Sequence, residues 1–279
     1  MIETEFNAGD LKLAALENQG DGTVVIGLHG FLDNAESLSV LAPYLQSERF
    51  ISLDLAGHGL SDHRPVGAQY NQFDYIQDLH ALLEEQQWDE VILIGHSMGG
   101  IIASLYAGLF PEKVKGVVSI DACGPLTMPE DTTQAQMREA VINRHHKRRN
   151  KLNIVDLDEA VQARCRVSDI PPQFARTILI RNLTQDVDSN YFWSSDPRLR
   201  TKSMLRLTEG QAENIMRAIE CPILIIGASN SFKHLDEVFQ KRKGWFKNAQ
   251  FEQITGGHHI HMEQTDEVGT LIRQFVEQM

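Results

Sequence analysis

The sequence predicts an α/β protein: a mostly parallel central sheet flanked by helices, with a helical cap inserted between two of its strands. Three observations carry this. Short apolar, β-branched runs at 23–28, 50–53, 91–94, 117–120, 223–226 and 251–254 each end at Gly, Asp, His or Ser, as buried parallel strands do. Between them Phe73, Ile76, Leu79 and Leu83, and then Ile101, Leu105 and Leu109, recur at helical spacing. Strand signals then vanish between about 124 and 208, where helical pieces are punctuated by Pro125, Pro129, Pro171-Pro172 and Pro197. The expected division is a core of 1–124 and 208–279 with a cap of 125–207, placed to roof a site outside the carboxyl ends of the strands.

Composition excludes several functional classes. With 279 residues, 42% hydrophobic and 23% charged, the chain can bury one large core. A formal charge of −12 argues against a nucleic-acid partner, which needs a surplus of Lys and Arg. The basic run 144–151 is read first as a solvated helix face and second as a lure for an acidic substrate. Cys123, Cys165 and Cys221 form no CxxC pair, which suits a reducing compartment. An acidic N-terminus and the lack of a long apolar run argue against a signal peptide and a membrane span, so a cytoplasmic location is expected.

The chemistry is carried by Gly95-His96-Ser97-Met98-Gly99, which follows an apolar strand and opens a helix. A bare G-x-S-x-G occurs by chance in about one chain in ten, so its setting decides. A serine on a sharp strand-to-helix turn is exposed in a strained backbone, and the helix N-terminus aims N–H groups at any oxyanion formed there. Upstream, Leu28-His29-Gly30-Phe31-Leu32-Asp33 supplies a second turn at the same sheet edge. The amides of Phe31 and Met98 are the natural oxyanion donors. His29, Gly30 and His96 are expected to support these turns.

The expected chain order is nucleophile, acid, then histidine. Gly256-Gly257-His258-His259-Ile260-His261 follows the last strand, and His258 is the chosen base, with His259 and His261 as alternatives. A metal site is the competing reading of these histidines, but no ligand pattern supports it and none is expected. The usual acid position, in the loop after the penultimate strand, holds Asn230, which cannot carry the charge that stabilises an imidazolium. Asp236 falls on a predicted helix. Asp121 ends the strand beside the nucleophile strand and is the preferred acid, against the plain reading that it caps a turn. Asn230 then orients the histidine loop. The segment 54–62 contains Gly57-His58-Gly59 but has Asp62 where a dinucleotide site needs glycine, so it is read as packing under the site.

Together His29-Gly30, 54–62, Gly95 to Gly100 and Gly257-His258 resemble the α/β-hydrolase superfamily in its expected order, over about 2–124 and 208–279. The stretches 191–199 and 256–262 resemble the serine hydrolase-like proteins, which have a helical cap. The resemblance implies a nucleophile at Ser97, a base at His258, an oxyanion hole at Phe31 and Met98, and no cofactor. Some relatives, a subset of haloalkane dehalogenases, place the acid where Asp121 stands, but their nucleophile is Asp, so Ser97 argues against that chemistry.

The expected activity is therefore hydrolysis of a small carboxylic ester or related acyl substrate through an acyl-enzyme. A carbon–carbon bond hydrolase or lyase, a perhydrolase, and a binding protein with a decayed triad are the alternatives. In the cap, Phe192 and Trp193, with Leu32 from the core, are candidate pocket walls. Phe174, Leu179 and Tyr191 are weighed beside them, against the simpler reading of cap-to-core packing.

Overall fold

The computed structural model of the chain describes residues 1–147, 155–231 and 234–279. Its strands are β1 (Ile2–Ala8), β2 (Leu11–Glu17), β3 (Val24–Leu28), β4 (Arg49–Leu53), β5 (Val91–His96), β6 (Val114–Ile120), β7 (Leu183–Gln185), β8 (Tyr191–Trp193), β9 (Ile223–Ala228) and β10 (Ala249–Ile254). Eight of them form one sheet in the order β1-β2-β4-β3-β5-β6-β9-β10, and β7 and β8 form a separate hairpin. All six sequence-predicted strands are present, and from β4 across to β10 every pairing is parallel. The antiparallel pair β1 and β2 at one edge was not expected. Glu3 and Glu5 give β1 a polar face, and such edge strands lack the continuous apolar run that marks the buried ones.

The strands are apolar on both faces because helices cover both. On β5, Val91 and Leu93 belong to one core cluster and Ile92 and Ile94 to the other, the period-two alternation of a doubly covered strand. Each fully buried aliphatic side chain contributes roughly 1.5–3 kcal/mol relative to exposure. The helices are α1 (Glu36–Ser39), α2 (Gln72–Gln86), α3 (Met98–Leu109), α4 (Thr133–Lys147), α5 (Leu157–Ser168), α6 (Pro172–Arg181), α7 (Glu209–Met216), α8 (Leu235–Arg242), α9 (Ile260–Glu263) and α10 (Thr265–Val276). The predicted stripe of α2 faces inward: Ile76, Leu79 and Leu83 are buried and Phe73 packs at their edge. Asn71 caps that helix in a reciprocal box with Asp74.

Helices α4 to α6 and the β7–β8 hairpin lie in the long connection between β6 and β9. Thr127 and Leu207 pair as an isolated bridge, so the connection leaves and rejoins the sheet at adjacent points. It has its own apolar cluster, with Val161, Ala175, Ile178 and Leu179 packed around Met262 of the last histidine loop. Polar ties hold it down: Asn34 donates to the Ile178 carbonyl at 2.6 Å, and the buried Arg181 bridges Asp54 and Glu3. The three-residue strands of the hairpin are too short to register as strands in the sequence. Of the basic run, 148–151 lies outside the described residues, while Arg144 sits on α4 and donates to the Gly67 carbonyl. Among the described residues no helix is long and apolar enough to cross a membrane.

Candidate active site

Ser97 stands between β5 and α3 with φ 51° and ψ −109°, a left-handed conformation that a non-glycine residue adopts only at a cost of about 1–3 kcal/mol. The flanking glycines follow from packing. A Cβ on Gly99 would lie 1.8 Å from the Leu28 carbonyl oxygen, and one on Gly95 would lie 2.3 Å from the Gly99 backbone. Without side chains at these points the first turn of α3 drops against the end of β3, which brings the turn after Ser97 to the turn that begins at His29. The Ser97 amide donates to the Ile120 carbonyl at 2.8 Å, tying the elbow to β6.

Asp121 follows β6 and also has positive φ, 50°. That conformation turns its carboxylate away from the strand, where Oδ2 shares a short hydrogen bond with His258 Nδ1 and accepts from the Ser231 hydroxyl at 2.6 Å. The Ala228 amide donates to Oδ1 at 3.3 Å. Asp121 is fully buried and His258 nearly so, while Ser97 is partly open to the cavity. The structure thus brings Asp121, and not Asn230 or Asp236, to His258. Asp236 is exposed on α8. Asn230 does support the histidine loop, but through its backbone: its amide donates to the Gly256 carbonyl at 3.0 Å while its side chain meets only Ser229 among the described residues.

His259 and His261, the alternative bases, turn inward and are buried. His261 Nε2 bonds the Ser37 hydroxyl at 2.9 Å and His259 Nε2 lies 3.2 Å from Asp33 Oδ2. His258, by contrast, lines the same cavity as Ser97. His96 Nε2 approaches the His258 carbonyl at 2.8 Å, and since a carbonyl only accepts, that nitrogen carries the hydrogen. Burial pushes His96 down to about 3, so it is a neutral donor at neutral pH.

Asp33 was not singled out as a site residue in the sequence, because its partners are remote. Burial alone would raise its pKa, but His259 and the Arg164 guanidinium beside it, with the hydrogen bond from His259, hold it well below the usual carboxylate range. Arg164 comes from α5, so this ion pair links the inserted segment to the turn carrying Phe31. Asp33, His96 and His259 bring three ligand-type atoms within 4.8 Å of one another, yet the Arg164 guanidinium on the other oxygen of Asp33 already balances the carboxylate charge and would repel a cation held there. The donor set therefore fits an internal ion pair better than a metal.

The turn 29–33 is built from its neighbours. The Leu55 amide donates to His29 Nε2 at 3.0 Å, so His29 Nδ1 donates to the Gly30 carbonyl at 2.7 Å, which places His29 as a buttress of the loop. Burial lowers the His29 and His58 pKa values, in His58 aided by the adjacent His29. His58 accepts from the Leu32 amide at 3.4 Å, so the 54–62 segment packs under the turn. A Cβ on Gly30 would lie 2.8 Å from the His96 ring. Among the described residues the amides of Phe31 and Met98 donate to no protein acceptor, and both residues line the cavity with Ser97.

That cavity, about 630 Å³, also takes in Leu32, together with Val167, Leu199 and Arg200 of the inserted segment. Phe192 and Trp193 do not line it, a correction to the sequence reading. Both lie in the β7–β8 hairpin, where Phe192 pairs with Thr184 and Trp193 packs against the cluster of α5 and α6 and faces a separate recess. Phe174 and Leu179 pack in that same cluster.

Residues 23–265 match the family model described as the alpha/beta hydrolase fold. A serine hydrolase-like protein of Danio rerio is 29% identical over 268 residues, covering 92% of this chain and 82% of that protein. Esterase YbfF of Escherichia coli is 26% identical over 96% of this chain and 98% of its own length. The crystal structure of a hypothetical protein from Pseudomonas aeruginosa superposes with a TM-score of 0.92 at 33% identity, covering 99% of this chain and all of that one.

Proposed function

This chain belongs to the α/β hydrolase fold family, and on that premise we propose that it is a serine hydrolase cleaving carboxylic esters or related acyl compounds through an acyl-enzyme. The observation that carries the reading is the hydrogen bond between the buried Asp121 carboxylate and His258 Nδ1, on a histidine that shares its cavity with the strained Ser97. A carboxylate on Nδ1 leaves Nε2 as the nitrogen that can take a proton, and it stabilises the imidazolium that then forms.

In this mechanism Ser97 Oγ attacks the substrate carbonyl as its proton passes to His258 Nε2. The oxyanion forms where the Phe31 and Met98 amides can donate, at the positive end of α3. The protonated His258 gives its proton to the leaving oxygen and the C–O bond breaks, leaving an ester on Ser97. Water attacks that ester with His258 again as base, and the acid is released. The segment 125–207 acts as a cap that sets which acyl compounds enter, because Arg164, Val167 and Leu199 from it form part of the cavity wall. A 4-nitrophenyl butyrate assay tests the reading. A burst of nitrophenolate equal to the enzyme concentration, absent in Ser97→Ala, is expected; turnover that survives Ser97→Ala would refute it.

A further inference from the structure

The cavity around Ser97 carries a charge opposite to that of the chain. The sequence has 26 Lys and Arg against 38 Asp and Glu, yet the cavity wall contains Arg164, Arg200, Lys202 and Arg206 with Asp33 as the one carboxylate among its lining residues. Asp33 offers no charge to a ligand, since Arg164 and His259 already occupy its oxygens. The remaining cations come from one short stretch, 200–206, at the return of the inserted segment. Lys202 is shared with Glu139 in an ion pair more than half exposed on both sides, which water screens. Arg206 makes no ion pair among the described residues. Arg200 is open to the cavity with the Trp193 ring 5.9 Å behind it, which gives the guanidinium a fixed backing.

The Arg164 guanidinium, although paired with Asp33, adds its charge to the field felt by Arg200. Burial, and after it the Arg164 charge, push the Arg200 pKa down. An anion entering the cavity offsets that field and gains charge-assisted hydrogen bonds in a setting less screened than bulk water. Ser97 and His258 come from the sheet edge, whereas these cations come from the inserted segment, so a substrate reaching both must have two ends. Leu32, Ile101, Val167 and Leu199 add apolar surface to the wall of the same cavity.

We infer that the substrate of this site is an acyl compound carrying an anionic group, a carboxylate or a phosphate, which Arg200 and Arg206 hold across an apolar spacer from the carbonyl presented to Ser97. The inference rests on the hydrolytic reading of Ser97 given above and specifies its substrate class.

The test compares kcat/KM for mono-4-nitrophenyl adipate, its methyl ester, and a 4-nitrophenyl hexanoate bearing a terminal phosphate, at low salt. Wild type is expected to favour an anionic ester over the neutral one by about tenfold or more, the effect of one charge-assisted hydrogen bond. Which anion is preferred separates carboxylate from phosphate. The preference is expected to fall below about threefold in Arg200→Gln/Arg206→Gln, to survive in Arg206→Lys and to shrink with added salt, with folding checked by thermal unfolding. An acid-to-neutral ratio near one in wild type, or one unchanged by Arg200→Gln/Arg206→Gln, overturns the inference. Should no ester be cleaved, calorimetric titration of Ser97→Ala with monomethyl adipate and dimethyl adipate separates the two claims. Selective binding of the monoanion keeps the anion site and removes the hydrolytic reading, and equal binding or none removes the anion site.

Discussion

The Nε2–H of His96 donates to the carbonyl oxygen of His258 at 2.8 Å, so the residue just before Ser97 in the chain holds the backbone of the histidine proposed to act on Ser97. One strand end therefore fixes both partners. His96 in turn packs its ring on His258, His259 and His261, with centroids 4.4 to 4.9 Å away.

His96→Ala should leave substrate binding nearly intact and slow the chemistry. Removing the donor frees the His258 loop without touching the cavity's apolar wall, and loss of such a supporting contact typically costs about 10–100-fold. Steady-state kinetics on an aryl ester should show the fall in kcat with KM changed little. A large KM effect alone would contradict this role.

Arg164→Ala should cost about 3–5 kcal/mol, because it leaves the buried Asp33 carboxylate without its cation. Asp33→Asn in the same chain should recover part of that loss. Urea unfolding of the two single variants and the double variant measures the coupling, and additive losses would show that the pair is not coupled.

Gly99→Ala should prevent a native fold or destabilise it severely, since the new Cβ would sit 1.8 Å from the Leu28 carbonyl oxygen. Gly210→Ala in α7 meets nothing within 4 Å and should stabilise by about 0.4–1 kcal/mol. Thermal unfolding of both variants checks the contrast. Equal midpoints would mean that the close approach of α3 to β3 is not required.

Stability should fall as pH drops from about 6.5. His29, His58, His96 and His261 are all buried and pushed below the ordinary imidazole value, by desolvation first in each case. Between a lowered folded pKa and the unfolded value near 6.5, the unfolded chain binds more protons, so each such group contributes stability that is present above about 6.5 and lost towards acid. Asp78, raised to about 6 by burial, works the other way between about 4 and 6, one group against four. Asp33, held low, enters only below about 4. Urea midpoints at pH 7.5, 6 and 5 should therefore decline, and less steeply in His58→Gln; a flat profile would contradict the account.

Much of the fold was legible because it is written locally. Ile92 and Ile94 alternate with Val91 and Leu93 along one strand, and Gly95, Ser97 and Gly99 lie within one turn, so the strand and the elbow each announce themselves in a few residues. Asp121 was reached by a longer route, through the Asn230 that fills the usual acid position. What escaped was assembled from distant segments. Asp33 meets His259 and Arg164 across 226 and 131 residues, and no local pattern reports such pairings. Ser231, which bonds Asp121, lies one residue beyond the loop that was weighed. Phe192 and Trp193 were placed by composition, but the hairpin that orients them has strands of only three residues each, too short to fix a facing direction from sequence.

The most direct test of the central claim is fluorophosphonate labelling, with the modified peptide mapped by mass spectrometry, on wild type and Asp121→Asn. Asparagine tolerates the positive φ of residue 121, so the variant removes charge with little backbone strain. Labelling confined to Ser97 in wild type and slowed roughly 10³–10⁴-fold in Asp121→Asn is the expected result. A folded wild-type protein that takes no label at Ser97, or an Asp121→Asn variant labelled as fast as wild type, would contradict it.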